Sequence, residues 1–384
     1  MVYHKNMRWI FFTPVIFLFY AGICFYIGVR ILGFTRFLYA DIKPLIFWII
    51  WVFFCLAPLL INFISFNLNF LRNLTSLWTA FFLYMLMFLV ISEALKLIIF
   101  LTGKKTETFN IYATGAALCL CVLLLIFGII NARSIKTINY NITLHGSGNS
   151  IRAVLLSDLH IGSLVNKAWI ERITEKVNKA QPDIVLIAGD IFDGNINVIN
   201  DLPGVIKSLG SINAPLGTYA CLGNHDVDRQ AIRGGTTQRI EGILKESGVT
   251  LLQDEVIIIR DNLHLGGRRD ARPIGLKSER KSADELVKDI TGTIIMMDHQ
   301  PVQFPHLEKA GVDFVVSGHT HRGQIFPASI FTYFIFKAAG ASHYGHWKGE
   351  TMQGIVTSGA GLWGPPVRIG TNSEIAVINI EFMP

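Results

Sequence analysis

Two patterns of apolar and polar positions divide the chain. Up to about residue 140 it runs in long apolar stretches, at 9–29, 45–66, 77–101 and 111–130, with short polar breaks between them. Each approaches the roughly 20 residues that a helix needs to cross about 30 Å of hydrocarbon. A helix packed on a soluble core would show a polar face instead. Trp9, Trp48, Trp51 and Trp78 lie in or near the stretches' ends, where amphipathic rings suit a membrane–water interface. The first stretch follows Lys5 and Arg8 as a signal sequence would, but it is long, lacks a small-residue cleavage site and leads into further spans. It reads as a retained anchor.

From about residue 151 the apolar runs shorten. Segments at 153–156, 184–188, 218–222, 293–297 and 314–317 each read as a buried strand. Amphipathic stretches lie between the early ones, such as 168–179 with Ile170, Ile173 and Val177 on one face. Segments 323–326, 354–357 and 374–380 are strand-like without intervening helices. The pattern predicts an all-α transmembrane region of four helices over 1–140, followed by an α/β domain over 141–384.

Charge sharpens the division. Residues 1–140 hold 11 Lys/Arg against 3 Asp/Glu, a net of +8, and residues 141–384 hold 23 against 25, a net of −2. The basic balance therefore belongs to the apolar region, and the second region has no electrostatic footprint for nucleic acid. The cations flanking the apolar stretches count five against five: Lys5, Arg8, Arg72, Arg133 and Lys136 on one side, and Arg30, Arg36, Lys43, Lys104 and Lys105 on the other. An even count leaves sidedness open. Glu93 and Lys96 sit near the end of the third stretch and read as an interfacial pair one turn apart. With nothing else polar deep in the spans, transport is disfavoured. The five cysteines form neither a disulfide framework nor a CxxC pair.

The chemistry lies where the predicted strands end. In order come Ser157-Asp158-Leu159-His160, Gly189-Asp190-Ile191-Phe192-Asp193, Gly223-Asn224-His225-Asp226, Asp298-His299-Gln300-Pro301 and Gly318-His319-Thr320-His321. Loops at the C-terminal ends of strands in an α/β sheet converge on the ligand crevice. Their side chains are oxygen and imidazole donors with no thiolate, which suits Mn, Fe, Zn or Mg. The i, i+2 spacing of Asp158 with His160 and of His319 with His321 lets each pair chelate one ion from an extended segment. Gly189, Gly223 and Gly318 are expected to let the backbone turn sharply beside these residues. Each block alone is an ordinary turn or cap. Five in sequence, each after an apolar strand, are not.

This ordered set resembles the calcineurin-like metallophosphoesterases, whose signature runs D-x-H, G-D-x-x-[D/N], G-N-H-[D/E], a later H, and G-H-x-H. The segments GHTHRGQIFP at 318–327 and GPPVRIG at 364–370 are similar to those of the membrane-anchored bacterial branch. The resemblance implies a β-sandwich flanked by helices and a site for two divalent metal ions. Asp158, His160 and His321 would bind the first ion, Asp190 would bridge, and Asn224, His299 and His319 would hold the second. His225 would stand beside the phosphate as the catalytic imidazole, oriented by Asp226. One departure is Asp298, before His299, where a neutral residue is common; Asp298 would tune His299 from behind.

Two cations about 3.5–4 Å apart need a shared anionic ligand, and a hydroxide held between them can attack phosphorus in line. The expected reaction is hydrolysis of a phosphodiester, pyrophosphate or phosphomonoester, with a phosphorylated small molecule or lipid as substrate and membrane lipids as neighbours. The implied location is a bacterial plasma membrane. UDP-2,3-diacylglucosamine hydrolysis is one concrete alternative, and an inert membrane sensor or partner-binding protein is an alternative of another class. Arg268, Arg269 and Arg272, clustered around Asp270, together with Arg322, are the arginines available for phosphate oxygens. The aromatic segment 330–347, with His343 and His346, is open between a lid, a cleft wall, a surface on the bilayer and a packed hairpin.

Overall fold

The computed structural model describes residues 3–61, 68–106, 108–227, 236–271 and 280–383, with side chains from residue 14 onward. The chain divides into two compact units, Met1–Phe127 and Gly128–Pro384.

Four helices account for the apolar stretches: α1 (Tyr3–Leu38), α2 (Pro44–Leu60), α3 (Asn69–Leu101) and α4 (Phe109–Arg133). Three segments, Pro14–Leu38, Asn69–Leu101 and Phe109–Arg133, are long and apolar enough to cross a membrane. α2 is shorter at 17 residues, and positions 62–66 of the expected second stretch lie outside the described residues.

Two expectations for this unit fail together. Arg30 is not in a loop but inside α1 and only 8% exposed, which leaves five flanking cations against four. Glu93 pairs with Arg30, not with Lys96. Arg30 Nη1 also donates to the Tyr26 hydroxyl at 3.1 Å, Nε to Thr114 Oγ1 at 3.1 Å and Nη2 to the Asn110 carbonyl at 3.2 Å. A guanidinium removed from water has to find such acceptors, and Arg30 finds them on three helices.

The second unit is built on two six-stranded mixed sheets. The first orders β1 (Lys136–His145), β12 (Glu374–Met383), β2 (Ile151–Leu156), β3 (Ile184–Ala188), β4 (Thr218–Cys221) and β5 (Val249–Leu251). The second orders β10 (Gly345–Lys348), β11 (Gln353–Val356), β9 (Phe314–Ser317), β8 (Thr293–Met297), β7 (Leu263–Gly267) and β6 (Glu255–Arg260). Strands β2 to β5 run parallel, as do β7, β8, β9 and β11, so their C-terminal ends share one edge of each sheet.

Alternation along each strand explains the layering. Ala153, Leu155 and Leu186 face Ile295, Met297, Phe314 and Val316 in the core between the sheets. Their neighbours Val154, Leu156, Val185 and Ile187 face Ile170, Ile173 and Val177 of α5 (Lys167–Lys179) on the outer side. Met296 and Val315 pack outward on Phe304 and Leu307 of a short helix, Phe304–Lys309. Both faces of the central strands are thus covered, giving the expected sandwich flanked by helices.

Segment 323–326 is not a strand. The chain makes a 3-10 turn at His321–Gly323 and then a single bridge from Ile325 to Ile369, because Gly323 and Gln324 take φ of +75° and +51° and reverse the backbone. Nor does the apolar pattern predict β1. It pairs in parallel with β12 along its whole length, and residues 140 and 141 both lie inside it.

Candidate functional site

Backbone contacts stitch the strand-end loops together. After β2 and β3 the two loops continue as a ladder, with the Asp158 amide donating to the Gly189 carbonyl and the His160 amide to the Asp190 carbonyl, each at 3.0 Å. The His225 amide donates to Asp190 Oδ1 at 2.9 Å, and the His319 amide to Asp158 Oδ2 at 3.0 Å. The Gly318 amide donates to the His299 carbonyl at 3.1 Å. All five motifs therefore meet at one place.

The cost of this convergence is visible in the backbone. Asp158, His160, Asp190, His319 and His321 all have φ between +46° and +68°. Non-glycine residues visit that region rarely, and such strain gathers at functional sites. The glycines serve differently from expectation. Gly189 does turn the chain, with φ of +80°. Gly223 and Gly318 have no positive φ and are required for space: a Cβ on Gly223 would stand 2.2 Å from Asp190 Oδ1, and one on Gly318 1.9 Å from Ser157 Oγ.

The side chains form adjoining groups. Asp158, His160 and His321 bring three ligand atoms within 4.8 Å of one another, and Asp190, His299 and His319 do the same. His160 Nε2 lies 3.1 Å from His321 Nε2, and His321 Nε2 lies 3.4 Å from Asp158 Oδ1. Asp190 Oδ2 stands between the groups, 3.2 Å from His299 Nε2 and 3.7 Å from His160 Nε2. Two ligands each about 2.1 Å from one ion stand about 3.0–3.4 Å apart in octahedral or tetrahedral geometry, so the short distances fit a shared cation.

Unpaired atoms point the same way. His299 Nδ1 faces the Ala188 carbonyl at 2.8 Å. A carbonyl only accepts, so Nδ1 carries a proton, which leaves Nε2, facing the Asp190 carboxylate at 3.2 Å, as the nitrogen that would bind a cation. His299 Nε2 and Asn224 Oδ1 are buried with no hydrogen-bond partner. Native proteins rarely leave such atoms unsatisfied without an ion or water to answer them. The donor set is nitrogen and oxygen only, so the residues fit hard or borderline divalent cations. Burial and the neighbouring His299 push the His319 imidazole down to about 3, which keeps it a neutral donor.

His225 lies at the mouth, 20% exposed, with its pKa lowered chiefly by burial. Its partner is not Asp226. The Asp226 carboxylate accepts the backbone amides of Ile191, Phe192 and Gly223 at 3.1, 2.9 and 2.9 Å. It ties the Asp190 loop to the Gly223 loop, and burial with the Asp190 charge raises its pKa to about 7. The carboxylate facing His225 Nδ1 is Asp193, at 3.7 Å, and Asp193 also stands 3.6 Å from His160 Nδ1. Asp193 is the last residue of its own motif, but adjacency along the chain favours Asp226 over it.

The arginines are also reassigned. Arg268 is buried and donates to Asp298 Oδ2 at 2.9 Å and to the Lys281 carbonyl at 3.1 Å, so its fork faces protein acceptors and not a phosphate. Asp298 is in turn held by Arg280 at 2.9 Å on its other oxygen, which removes it as a tuner of His299. Arg269 is half exposed, with Nε 3.9 Å from Asp254. Arg272 lies outside the described residues. Arg322 stacks 4.3 Å over the Tyr344 ring and lines a cavity of about 550 Å³ with His343 and Tyr333. Arg368, to which the sequence pattern assigns no role, is fully buried and donates to the carbonyls of His321, Gly359 and Gly361 at 3.3, 3.2 and 2.9 Å. It fixes the strained His321 turn from behind.

Comparison with known proteins agrees with this geometry. Residues 151–323 match the model of the calcineurin-like phosphoesterase family. Among similar proteins are an uncharacterized metallophosphoesterase of Campylobacter jejuni, 29% identical over 78% of this chain and 79% of that one, and another of Helicobacter pylori, 33% identical over 60% of each. A zebrafish (Danio rerio) protein named as a transmembrane protein with metallophosphoesterase domain is 30% identical over 70% of this chain and 62% of its own length. With its ordered motifs, its sandwich and its converging Asp, Asn and His side chains, the second unit carries a domain of the calcineurin-like phosphoesterase family at residues 151–323.

Proposed function

We propose that the second unit hydrolyses a phosphoester with two divalent cations, one among Asp158, His160 and His321, the other among Asn224, His299 and His319, and Asp190 shared between them. The observation that carries this reading is the buried pair of donor groups joined by Asp190 Oδ2, with His299 Nε2 and Asn224 Oδ1 lacking any other partner. Cations there would activate water and neutralise phosphate charge. The chain's own residues do the rest. Asp190 keeps its carboxylate ionised next to the imidazole of His299, whose charge opposes the effect of burial. His225 is neutral at the mouth, held by Asp193, and suits proton transfer to a departing oxygen. Asp226 and Arg368 position the loops without touching substrate.

Membrane association through the three long apolar helices and the similarity to transmembrane relatives support a substrate met at a bilayer, and a plasma-membrane location. The test is direct. Full-length protein in detergent is stripped with chelator, then assayed on a chromogenic phosphodiester, a pyrophosphate and a phosphomonoester after adding back Mn, Fe, Zn, Mg or Co. Restoration by at least one metal, with preference for one substrate, is expected. No turnover with any metal on any of the three would overturn the reading and favour an inert domain. The full chain is the right material, because cutting at residue 141 would remove half of β1.

A further inference from the structure

Residues Ala328–Ala338 form a helix, α6, in which no residue is buried. Its sequence, ASIFTYFIFKA, would ordinarily be core. Among the described residues of the second unit beyond α4, nine large apolar side chains are exposed, and five of them are on this one helix: Ile330, Phe331, Tyr333, Phe334 and Ile335, at 45–64%. Trp363, 52% exposed, belongs to the same surface, since its amide donates to Gln324 Oε1 at 3.0 Å just ahead of the helix. Soluble monomers rarely leave such a concentration of apolar area in water.

The surface also borders the candidate site. The Trp363 ring lies 6.0 Å from the His225 ring, and Phe336 of α6 lies 6.2 Å from the His319 ring. Its charge has one sign. Residues 326–348 contain no Asp or Glu, whereas Lys337, Lys348 and Arg322 lie within or beside them. α4, long and apolar enough to cross a membrane, ends at Arg133, and β1 begins at Lys136. The domain thus leaves a candidate span after only two residues, which keeps it at high local concentration beside lipid.

We propose that α6 and Trp363 seat in the interfacial layer of a bilayer, with the mouth of the site at headgroup depth. Aromatic and aliphatic side chains on one helix, without an acidic residue and with a terminal lysine, are the composition that partitions there. Anionic headgroups complement the cations, and a protein partner of this polarity would be expected to present acids to Arg322 and Lys337 and to saturate. The inference does not depend on catalysis and stands or falls apart from it.

The experiment reads depth. Full-length protein with the exposed Cys119 changed to Ser carries one new cysteine, Phe334→Cys on α6 or Ile258→Cys on the edge strand β6, labelled with an environment-sensitive fluorophore in vesicles of phosphatidylcholine and phosphatidylglycerol. At 334 the emission should shift to the blue, be quenched by lipids carrying a nitroxide near the headgroup, and resist aqueous iodide; at 258 the reverse should hold. Matching unfolding temperatures for both labelled proteins confirm that they are folded. A water-like, iodide-quenched probe at 334 would overturn the proposal. So would a dry probe untouched by lipid nitroxide whose signal depends on protein density in the membrane, because that places a second copy on α6.

Discussion

Two buried polar clusters, one around Arg30 in the first unit and one around Asp190 in the second, differ in how their atoms are answered. Around Arg30 every guanidinium nitrogen has an acceptor, and Tyr26 donates on to Glu93 at 2.8 Å. Around Asp190, two imidazole Nε2 atoms face each other at 3.1 Å, and His299 Nε2 and Asn224 Oδ1 are buried without a hydrogen-bond partner. A satisfied network holds helices together and needs nothing further. An unsatisfied one, held in place by strained backbone, is a site arranged for an ion that is not part of the polypeptide. The same residue classes thus serve stability in one unit and chemistry in the other.

The largest expected effect breaks the second cluster. Asp190→Ala removes the carboxylate that stands between the two groups. Metal content measured on purified protein should fall, and turnover should drop by more than the roughly 10–100-fold typical of outer-sphere changes. Retention of both ions and of activity would mean that Asp190 does not bridge. Next comes His225→Ala, which should keep both ions while costing about 10²–10⁴-fold in turnover, the usual range for a proton-transfer group. Asp193→Asn should lose a smaller part of the same factor and move the pH profile. Asp226→Asn should instead lower the unfolding temperature, because the amide nitrogen that replaces one carboxylate oxygen cannot accept, and at least one of the three backbone amides loses its acceptor. If Asp226→Asn shifted the pH profile and Asp193→Asn did not, the pairing assigned to His225 would be wrong.

Breaking the first cluster should leave chemistry alone. Glu93→Gln leaves the Arg30 charge, 7% exposed, inside the helices without its carboxylate, and a buried charge that loses its partner destabilises the fold. The unfolding transition in detergent should move down, with metal content and turnover of the folded protein unchanged. Loss of metal in this variant would show that the two clusters are coupled.

Much of the second unit is legible in the sequence because its signals are local. Each strand is a short apolar run and each donor follows it directly, so Asp158, His160, Asp190, His299, His319 and His321 can be placed together from order alone. Partner choice is not local. Asp193 and Asp226 are both near His225, by space or by sequence, and only the fold shows that Asp226 is committed to backbone amides 34 and 35 residues away. Arg268 looks available for phosphate in the sequence because its acceptor, Asp298, is 30 residues on. β1 is hidden for a related reason: its partner β12 lies at the far end of the chain, and its own pattern is only half-buried. In the first unit, Arg30 reads as a loop cation because a polar residue after an apolar run resembles the end of a helix. Apart from Tyr26, its acceptors come from helices 62 to 84 residues later.

The smallest effect tests the border between the site and the apolar helix. His343 lies beside Arg322, and burial, with the guanidinium charge, lowers its imidazole below the ordinary histidine value of 6.5. A histidine depressed in the folded state binds fewer protons than the unfolded chain, so its contribution to stability is present above the unfolded pKa and is lost as pH falls through 6.5 toward the folded value. Arg322→Gln removes one of the two causes. The His343 pKa, followed by carbon-detected NMR on histidine-labelled protein, should rise toward 6.5 without reaching it, since burial remains. The acid limb of the stability profile should flatten in step. An unchanged pKa would mean that solvent screens Arg322 from His343, and the cation would then be turned away from the imidazole.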